Sequence, residues 1–418
     1  MSRDAPSLNP PMNIAATVVA AALLLCGHAL LGGAQGWRQG ALWLLGAALG
    51  LSLYHAAFGF AGAFRRLLAE GRGAGLRAQM LMLAVAVLLF QPALAAGEVF
   101  GQPVRGFVFP AGVAVLLGAF LFGIGMQLGS GCASGTLYTA GGGSPRMVLT
   151  LGFFVVGATL AAWGSEWWDG LPALPPVSLP RSLGAWPALL GSLAVFAVVS
   201  ALSVRVERRR HGRAESIWSG GGYGWRALLH GPWPLAWGAV ALALLNLATL
   251  LLSGRPWAIT AAFPLWGSLA VDRLGWDDPV FWAYWEEPTR AEALLRPLAA
   301  DRITVMDGGL MVGALLAACL ARRFAPRWRI ASGAVLASMA GGLLLGVGAV
   351  LAFGCNISAY FSGIASGSLH GWVWIVPGLA GNWVGLRLRP LFGLDRPGGE
   401  GAATGERGSE LLAAGTSR

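Results

Sequence analysis

The sequence predicts an all-α polytopic membrane protein, and three observations carry that prediction. Of its 418 residues, 56% are hydrophobic and only 11% are charged, whereas a soluble domain carries about 25% charged residues. The apolar residues come in blocks about 20 long, the length a helix needs to cross a bilayer. The arginines gather in short loops between those blocks, the pattern of a positive-inside membrane protein. In a soluble protein the net charge of +10 would point to nucleic acid. Here it sits in loops, and no nucleic-acid partner is expected. The 63 glycines and 19 tryptophans fit the same class, since glycine lets helices approach closely and tryptophan favours the membrane interface.

Spans are expected near 13–33, 40–62, 77–96, 107–128, 147–168, 185–205, 233–253, 304–321, 330–352 and 371–388. That makes about nine to ten transmembrane helices. The run from Ile14 to Leu31 lacks a small-residue cleavage site and reads as a first span rather than a signal peptide. The pieces 132–141, 257–271 and 355–366 are too short to cross alone and are rich in Gly or Ser. Such pieces suit half-helices or re-entrant segments buried in protein.

The charged loops orient the spans. Arg65, Arg66, Arg72 and Arg77 form one cluster, Arg205, Arg208, Arg209, Arg210 and Arg213 a second, Arg322, Arg323, Arg327 and Arg329 a third, and Arg387 and Arg389 a fourth. These are expected in the cytoplasm, with both termini. The loop 272–302 carries Asp277, Asp278, Glu286, Glu287 and Glu292 with Trp276, Trp282 and Trp285, and is expected outside. So is the loop 164–186, with Glu166, Asp169 and several prolines. Residues 1–396 read as a single membrane domain in a bacterial inner membrane. Residues 397–418, rich in Gly, Ala and Glu, read as a disordered cytoplasmic tail.

Two stretches break the oily pattern: "GIGMQLGSGCASGTLYTAGGG" (123–143) and "GVGAVLAFGCNISAYFSGIASGS" (346–368). A shift of 223 residues lays Cys132 on Cys355. It also lays Gly118, Gly123, Gly125 and Gly131 on Gly341, Gly346, Gly348 and Gly354, and Leu121 and Leu128 on Leu344 and Leu351. A weaker echo links "AAFGFAGAF" (56–64) with "PWAITAAFPLWG" (256–267). The loop charges make the two cysteine segments run in opposite directions. An inverted repeat follows, with a first repeat at about 40–168 and a second at about 233–390. Transporters built this way hold their substrates near the midplane, between the halves.

Gly129, Gly131 and Gly135 each weaken a helix by about 1 kcal/mol against alanine, so a break is expected near Gly131 and another near Gly354. Each break frees backbone amides at the positive end of a short helix, which suits an anion. Ser130, Ser134 and Thr136 add hydroxyls in the first segment, and Asn356 and Ser358 add donors in the second. Met head to head, the breaks would form a narrow neck lined by thiols and amides. A thiol is small, polarizable and a weak donor, suited to soft contact with sulfur. The expected substrate-binding residues are Cys132, Cys355, Gly131, Gly354, Ser130, Ser134, Asn356 and Ser358.

Other residues read as structural. Cys26 and Cys319 lie in plain apolar runs and read as small hydrophobes. None of the four cysteines forms a CxxC pair or a Cys/His cluster, so neither zinc nor a disulfide framework is expected, and no cofactor is implied. His28, His55, His211, His230 and His370 read as interface or packing residues. Trp372 and Trp374 read as an interfacial belt, and Asp307, at the start of its span, as a helix cap. No Asp, Glu, His, Lys or Arg lies between Arg105 and Arg146, which disfavours a proton relay there.

At "GMQLGSGCASGTLYTAGGG" and "AFGCNISAYFSGIASGSLHGW" the chain resembles the YeeE/YedE family of sulfur-transport membrane proteins, over about Leu42 to Pro390. The resemblance implies bacterial inner-membrane uptake of thiosulfate or a related sulfur anion. It also implies an hourglass shape with the cysteines at the constriction, and a small cytoplasmic sulfur carrier of the TusA type as partner. Cys132 and Cys355 match the family's two half-helix cysteines. The chain departs from the pattern in an early span, where "AFGFAGAF" has Gly59 and the family has a third cysteine. Two alternatives stay open. One is a membrane-embedded sulfurtransferase that forms a cysteine persulfide, the other a channel for another small solute. The lack of a neighbouring base or metal motif argues against an enzyme.

Overall fold

The computed structural model describes residues 13–220 and 224–395. The expected tail 397–418 lies outside the described residues. The first half of the chain forms α1 (Ile14–Gln35), α2 (Trp37–His55), α3 (Phe60–Arg65), α4 (Ala74–Ala96), α5 (Val113–Leu128), α6 (Ala133–Gly141) and α7 (Pro145–Trp163). Then come α8 (Glu166–Asp169), α9 (Leu179–Leu183), α10 (Ala185–His211) and α11 (Trp225–His230). The second half forms α12 (Leu235–Ser253), α13 (Ala262–Arg273), α14 (Pro288–Leu295), α15 (Arg302–Leu320), α16 (Ser332–Leu351), α17 (Ser362–Ala365) and α18 (Leu369–Leu388). Two short antiparallel pairs tie loops together: Glu98–Val99 with Gln102–Pro103, and Ala111–Gly112 with Ala173–Leu174.

The protein is an all-α polytopic membrane protein. Nine helical stretches among the described residues are long and apolar enough to cross a membrane. Two of them, Val113–Gly141 and Ser332–Ala365, run through the cysteine breaks. The expected span 371–388 forms α18, which has the length but lies outside that group. Gly371, Gly378, Gly381, Asn382 and Gly385 on its buried face dilute its apolar character. On α1 only Ala20 is buried, while Ile14, Val18, Leu25 and Leu30 are exposed. That surface suits hydrocarbon rather than water.

Glycine sets the spacing of the inner helices. On α2 a Cβ at Gly46 or Gly50 would lie 2.1 Å from the carbonyl oxygens of Met306 and Leu310. On α15 a Cβ at Gly309 or Gly313 would lie 2.2 or 2.1 Å from those of Trp43 and Ala47. Each helix carries glycines four residues apart and presses them on the other's backbone, the close approach that dispersion needs between helices in lipid. The pair α5 and α16 does the same. Gly118 faces the Gly348 carbonyl and Gly348 faces that of Gly118, while Gly125 faces that of Gly341.

These contacts exchange under the 223-residue shift. Gly118 with Gly348 becomes Gly341 with Gly125, and both contacts are present. Gly157 of α7 packs on the Leu343 carbonyl, as Gly381 of α18 packs on that of Phe120, the counterpart of Leu343. The packing of α2 on α15 has its counterpart in α12 on α4, α13 on α7 in α3 on α18, and α6 on α15 in α17 on α4. The two halves are therefore interleaved: helices of one pack chiefly on helices of the other.

Two arginine clusters that the sequence offers as topology signals do structural work together. The guanidinium of Arg77 donates to Glu207 Oε2 at 2.7 Å, to Ser203 Oγ at 3.0 Å and to the Glu215 carbonyl at 2.6 Å. Glu207, fully buried, also accepts from the amides of Gly73 and Glu215. Arg66 pairs with Glu215 at 2.9 Å. The network pins α10 to α4. Removing one member leaves the other charge buried and unpaired, which costs about 3–5 kcal/mol. Glu207→Ala should therefore lower thermal stability sharply in detergent, read by fluorescence-detected gel filtration after heating. Arg77→Leu with Glu207→Leu should recover most of the loss; equal instability of single and double variants would contradict this account.

Candidate functional site

The two cysteines occupy matching breaks. α5 ends at Leu128 and α6 starts at Ala133, while α16 ends at Leu351 and a π-helical turn starts at Asn356. Ser130 (φ 59°) and its counterpart Phe353 (φ 54°) both take the left-handed conformation. A side chain there is strained by about 1–3 kcal/mol and persists only where its surroundings enforce it. Cys132 (φ −90°, ψ −172°) and Cys355 (φ −95°, ψ −167°) then share one extended conformation. Gly354 has φ 135°, and a Cβ there would lie 2.5 Å from that of Ser358. Its glycine is a steric requirement.

Each cysteine caps the piece it precedes. Cys132 Sγ accepts from the Gly135 amide at 3.4 Å and lies 3.4 Å from Ser134 Oγ. Cys355 Sγ accepts from the Ile357 amide at 3.3 Å and lies 3.7 Å from Ser358 Oγ. One amide at each break is thus taken by sulfur rather than left for an anion. With the sulfur accepting, the S–H hydrogen is what each cysteine has to offer, to its serine or to a guest. Both cysteines are buried, and α6, the turn 356–361 and the short turn Ile259–Ala261 all pack on one another.

The remaining expected residues surround these caps. Ser134, Asn356 and Ser358 are buried, as are Gly131 and Gly354; Ser130 is half-buried. Asn356 Nδ2 lies 3.6 Å from Met126 Sδ, which also receives Asn382 Nδ2 at 3.6 Å. Asn382 Oδ1 accepts from Gln127 Nε2 at 2.6 Å. Ser130 Oγ, Thr136 Oγ1 and Asn356 Oδ1 have no hydrogen-bond partner among the described residues. An unpartnered buried polar atom is costly, about 1–3 kcal/mol. Three of them around two breaks mark a place where a polar guest would be welcome.

Several readings of single residues are corrected. Trp374 is no interfacial residue: it is fully buried, stacks on Tyr360, and its indole N–H donates to the Gly354 carbonyl at 3.3 Å. It braces the second break, a role its place in a Trp-rich run conceals. Trp372 is half-buried and stacks on Phe196. Asp307 is not a cap, since Asp301 caps α15 by accepting from the Thr304 amide. Asp307 is instead fully buried, facing the Trp257 indole without hydrogen-bonding geometry. Cys26 is exposed on α1 rather than packed, whereas Cys319 is buried. His55 and His370 are buried, and His28, His211 and His230 are exposed.

A cavity of about 650 Å³ reaches the second break. Its lining includes Phe353, Gly354 and Ser358 together with residues of the loop 272–302 and its neighbours. The sequence draws the eye to the acidic residues of that loop, yet the cavity holds four arginines, Arg255, Arg290, Arg296 and Arg302, against Glu287, Glu292 and Asp301. Arg290 pairs with Glu287 and lies over the Tyr284 ring, 4.3 Å from its centroid. Burial pushes the Tyr284 phenol up from its usual value, so the ring stays neutral. Arg296 pairs with Glu292.

Fold and breaks together define a class: a multi-pass helical membrane protein whose discontinuous helices meet inside the bundle, the build of a transporter. A family profile described as sulphur transport matches residues 55–384, and the chain belongs to that family, the YeeE/YedE proteins. The family's description, sulphur transport, is the class to which this fold belongs. It is 33% identical over 162 residues to the probable transporter YedE of Salmonella typhimurium, which is 38% of this chain and 39% of that protein. It is 32% identical over 155 residues to YedE of Escherichia coli, 37% of each. The match thus spans well under half the length of these two relatives. With the thiosulfate transporter TsuA of Spirochaeta thermophila it shares 28% identity over 281 residues, 65% of this chain and 76% of that protein.

Two variants probe the breaks. Trp374→Phe keeps the ring but leaves the Gly354 carbonyl without its donor, so stability should fall by about 1 kcal/mol and uptake of labelled sulfur anion should fall with it. Unchanged uptake would free Trp374 from any part in holding the break. Gly59 has extended backbone (φ −133°), and a Cβ there would meet only the Tyr138 hydroxyl, at 3.6 Å. Gly59→Cys should therefore fold at least as stably as the parent, within about 0.4–1 kcal/mol, in the same heating assay. A large loss would mean that the extended residue before α3 has to be glycine.

Proposed function

We propose that the protein imports a small sulfur-containing anion, thiosulfate fitting best, across a bacterial inner membrane through a neck where the Cys132 and Cys355 breaks meet. The observation that carries this reading is the matched pair of cysteine-capped breaks, alike in backbone and in thiol partners, one in each half of the chain. In this reading the halves, about 40–168 and 233–390, are inverted repeats of one membrane domain. Both termini lie in the cytoplasm and the loop 272–302 lies outside. The name of the Spirochaeta thermophila relative supports thiosulfate as the substrate.

Thiosulfate offers a soft terminal sulfur to a soft donor. Each S–H contact is weak, about 1 kcal/mol net for an ordinary hydrogen bond, so the anion is passed from one thiol to the next without being trapped. Conduction needs this balance between entry and release. A small TusA-type carrier would take the sulfur onward in the cytoplasm.

Cys132→Ser and Cys355→Ser keep the cap geometry but harden the contact. Each should reduce uptake of labelled thiosulfate into proteoliposomes at least about tenfold, while Cys26→Ser and Cys319→Ser stay near the parent. Thiosulfate labelled differently on its two sulfurs should arrive with both labels in their starting ratio. Full uptake by both Cys132→Ser and Cys355→Ser would move the path elsewhere. Separation of the two labels would instead make the protein a sulfurtransferase.

A further inference from the structure

The cavity above the second break contains two arginines that its ion pairs leave over. Arg290 and Arg296 are matched by Glu287 and Glu292 at the mouth. Arg255 and Arg302 have no carboxylate within ion-pairing distance among the described residues, and both are half-buried. The nearby Asp301 carboxylate caps α15 through one oxygen, 2.7 Å from the Thr304 amide, and is a single negative charge beside these two positive ones.

One residue brings these two arginines to the same corner. Ser253, at the end of α12, accepts from Arg302 Nη1 through its carbonyl at 3.2 Å. Its hydroxyl donates to the Arg255 carbonyl at 2.8 Å and faces the Arg255 amide at 3.4 Å. Ser253 thus ties the Arg302 guanidinium to the Arg255 main chain; both arginines line a cavity that also includes Gly354 and Ser358, and their charges lie near enough to repel. Like charges so placed repel unless an anion lies between them. A guanidinium presents a planar fork of donors that fits pairs of oxygens on a tetrahedral oxyanion.

We propose that Arg255 and Arg302 form a binding site for the oxygens of a small divalent sulfur oxyanion, ahead of the Cys355 break. The site deepens the transport reading and rests on it for the direction of travel. The arginines take the oxygen-bearing end, which thiosulfate shares with sulfate. The thiols beyond take a soft sulfur, which sulfate lacks. Sulfate is therefore bound and not carried, and acts as a competitive inhibitor at this site.

The test uses the full-length protein in two independent assays: calorimetric binding of thiosulfate and of sulfate in detergent, and thiosulfate uptake into proteoliposomes with sulfate as competitor. Arg255→Gln and Arg302→Gln should each weaken binding of both anions, and raise the KM for uptake, by about tenfold, with the maximal rate largely kept. Arg302→Lys, which keeps the charge but not the fork, should fall between. Arg296→Gln, whose parent residue is already paired at the mouth, should stay within about twofold. If Arg302→Gln does not fold for want of its bond to Ser253, Arg255→Gln and Arg302→Lys decide the matter.

Unchanged affinity in folded Arg255→Gln and Arg302→Lys would overturn the site. So would an equal loss in Arg296→Gln, which would reduce the effect to general charge. Absence of uptake by the parent protein with binding intact and arginine-dependent would sink the transport reading alone. Absence of both sulfate and thiosulfate binding by the parent would sink the site.

Discussion

Backbone amides and carbonyls inside a bilayer have no water to turn to, so non-helical chain at membrane depth survives only where protein encloses it. The two cysteine breaks live under that constraint, and the rest of the structure can be read as meeting it. α5 and α16, which lead into the breaks, touch backbone to backbone through Gly118, Gly125, Gly341 and Gly348. α7 and α18 close over them through Gly157 and Gly381. Around the breaks, the thiols cap two loose amides, and Trp374 takes the Gly354 carbonyl. Cysteine at these points therefore has two tasks: it finishes a half-helix as serine or aspartate might, and it does so with a soft atom.

The exchange of contacts between halves follows from the same need. A helix that breaks in mid-membrane cannot be sealed by its own neighbours in sequence, because those leave toward the two surfaces. It is sealed by the other half. Hence the interleaving of α5 with α18 and of α16 with α7, and hence the matching contacts of Gly118 with Gly348 and of Gly125 with Gly341. The strained Ser130 and Phe353 fit this picture, since left-handed residues without glycine are kept only by a tight surround.

Much of this was legible in the sequence, because glycine and cysteine leave marks that hydropathy does not blur. The class followed from charge scarcity and block length, and the breaks from Gly131 and Gly354. The glycines and the cysteine at one spacing pick out positions that the structure brings into matching contacts. What escaped was whatever depends on which way a side chain points. Trp374 looked interfacial because tryptophan near a span end usually is, and nothing in a linear reading aims its indole at Gly354. Asp307 looked like a cap because the start of α15 was placed a little late; the true cap, Asp301, lies six residues earlier. One amide at each break faces sulfur, since a cysteine at a cap position can accept as well as donate.

The loop 272–302 teaches the same lesson about charge. Summed along the chain it reads as acidic, yet a cavity does not sum along a chain. Glu287 and Glu292 are paired with Arg290 and Arg296, and Asp301, which also caps its helix, is left as one negative charge against two positive ones, Arg255 and Arg302, the first of which lies outside the loop altogether. In the route proposed above, oxygen-seeking cations and sulfur-seeking thiols would divide the recognition of an anion that is hard at one end and soft at the other. Long-range charge draws in any oxyanion and cannot tell thiosulfate from sulfate. Discrimination has to fall on the thiols, whose contacts are too weak to hold an anion alone but sufficient to choose among those already gathered.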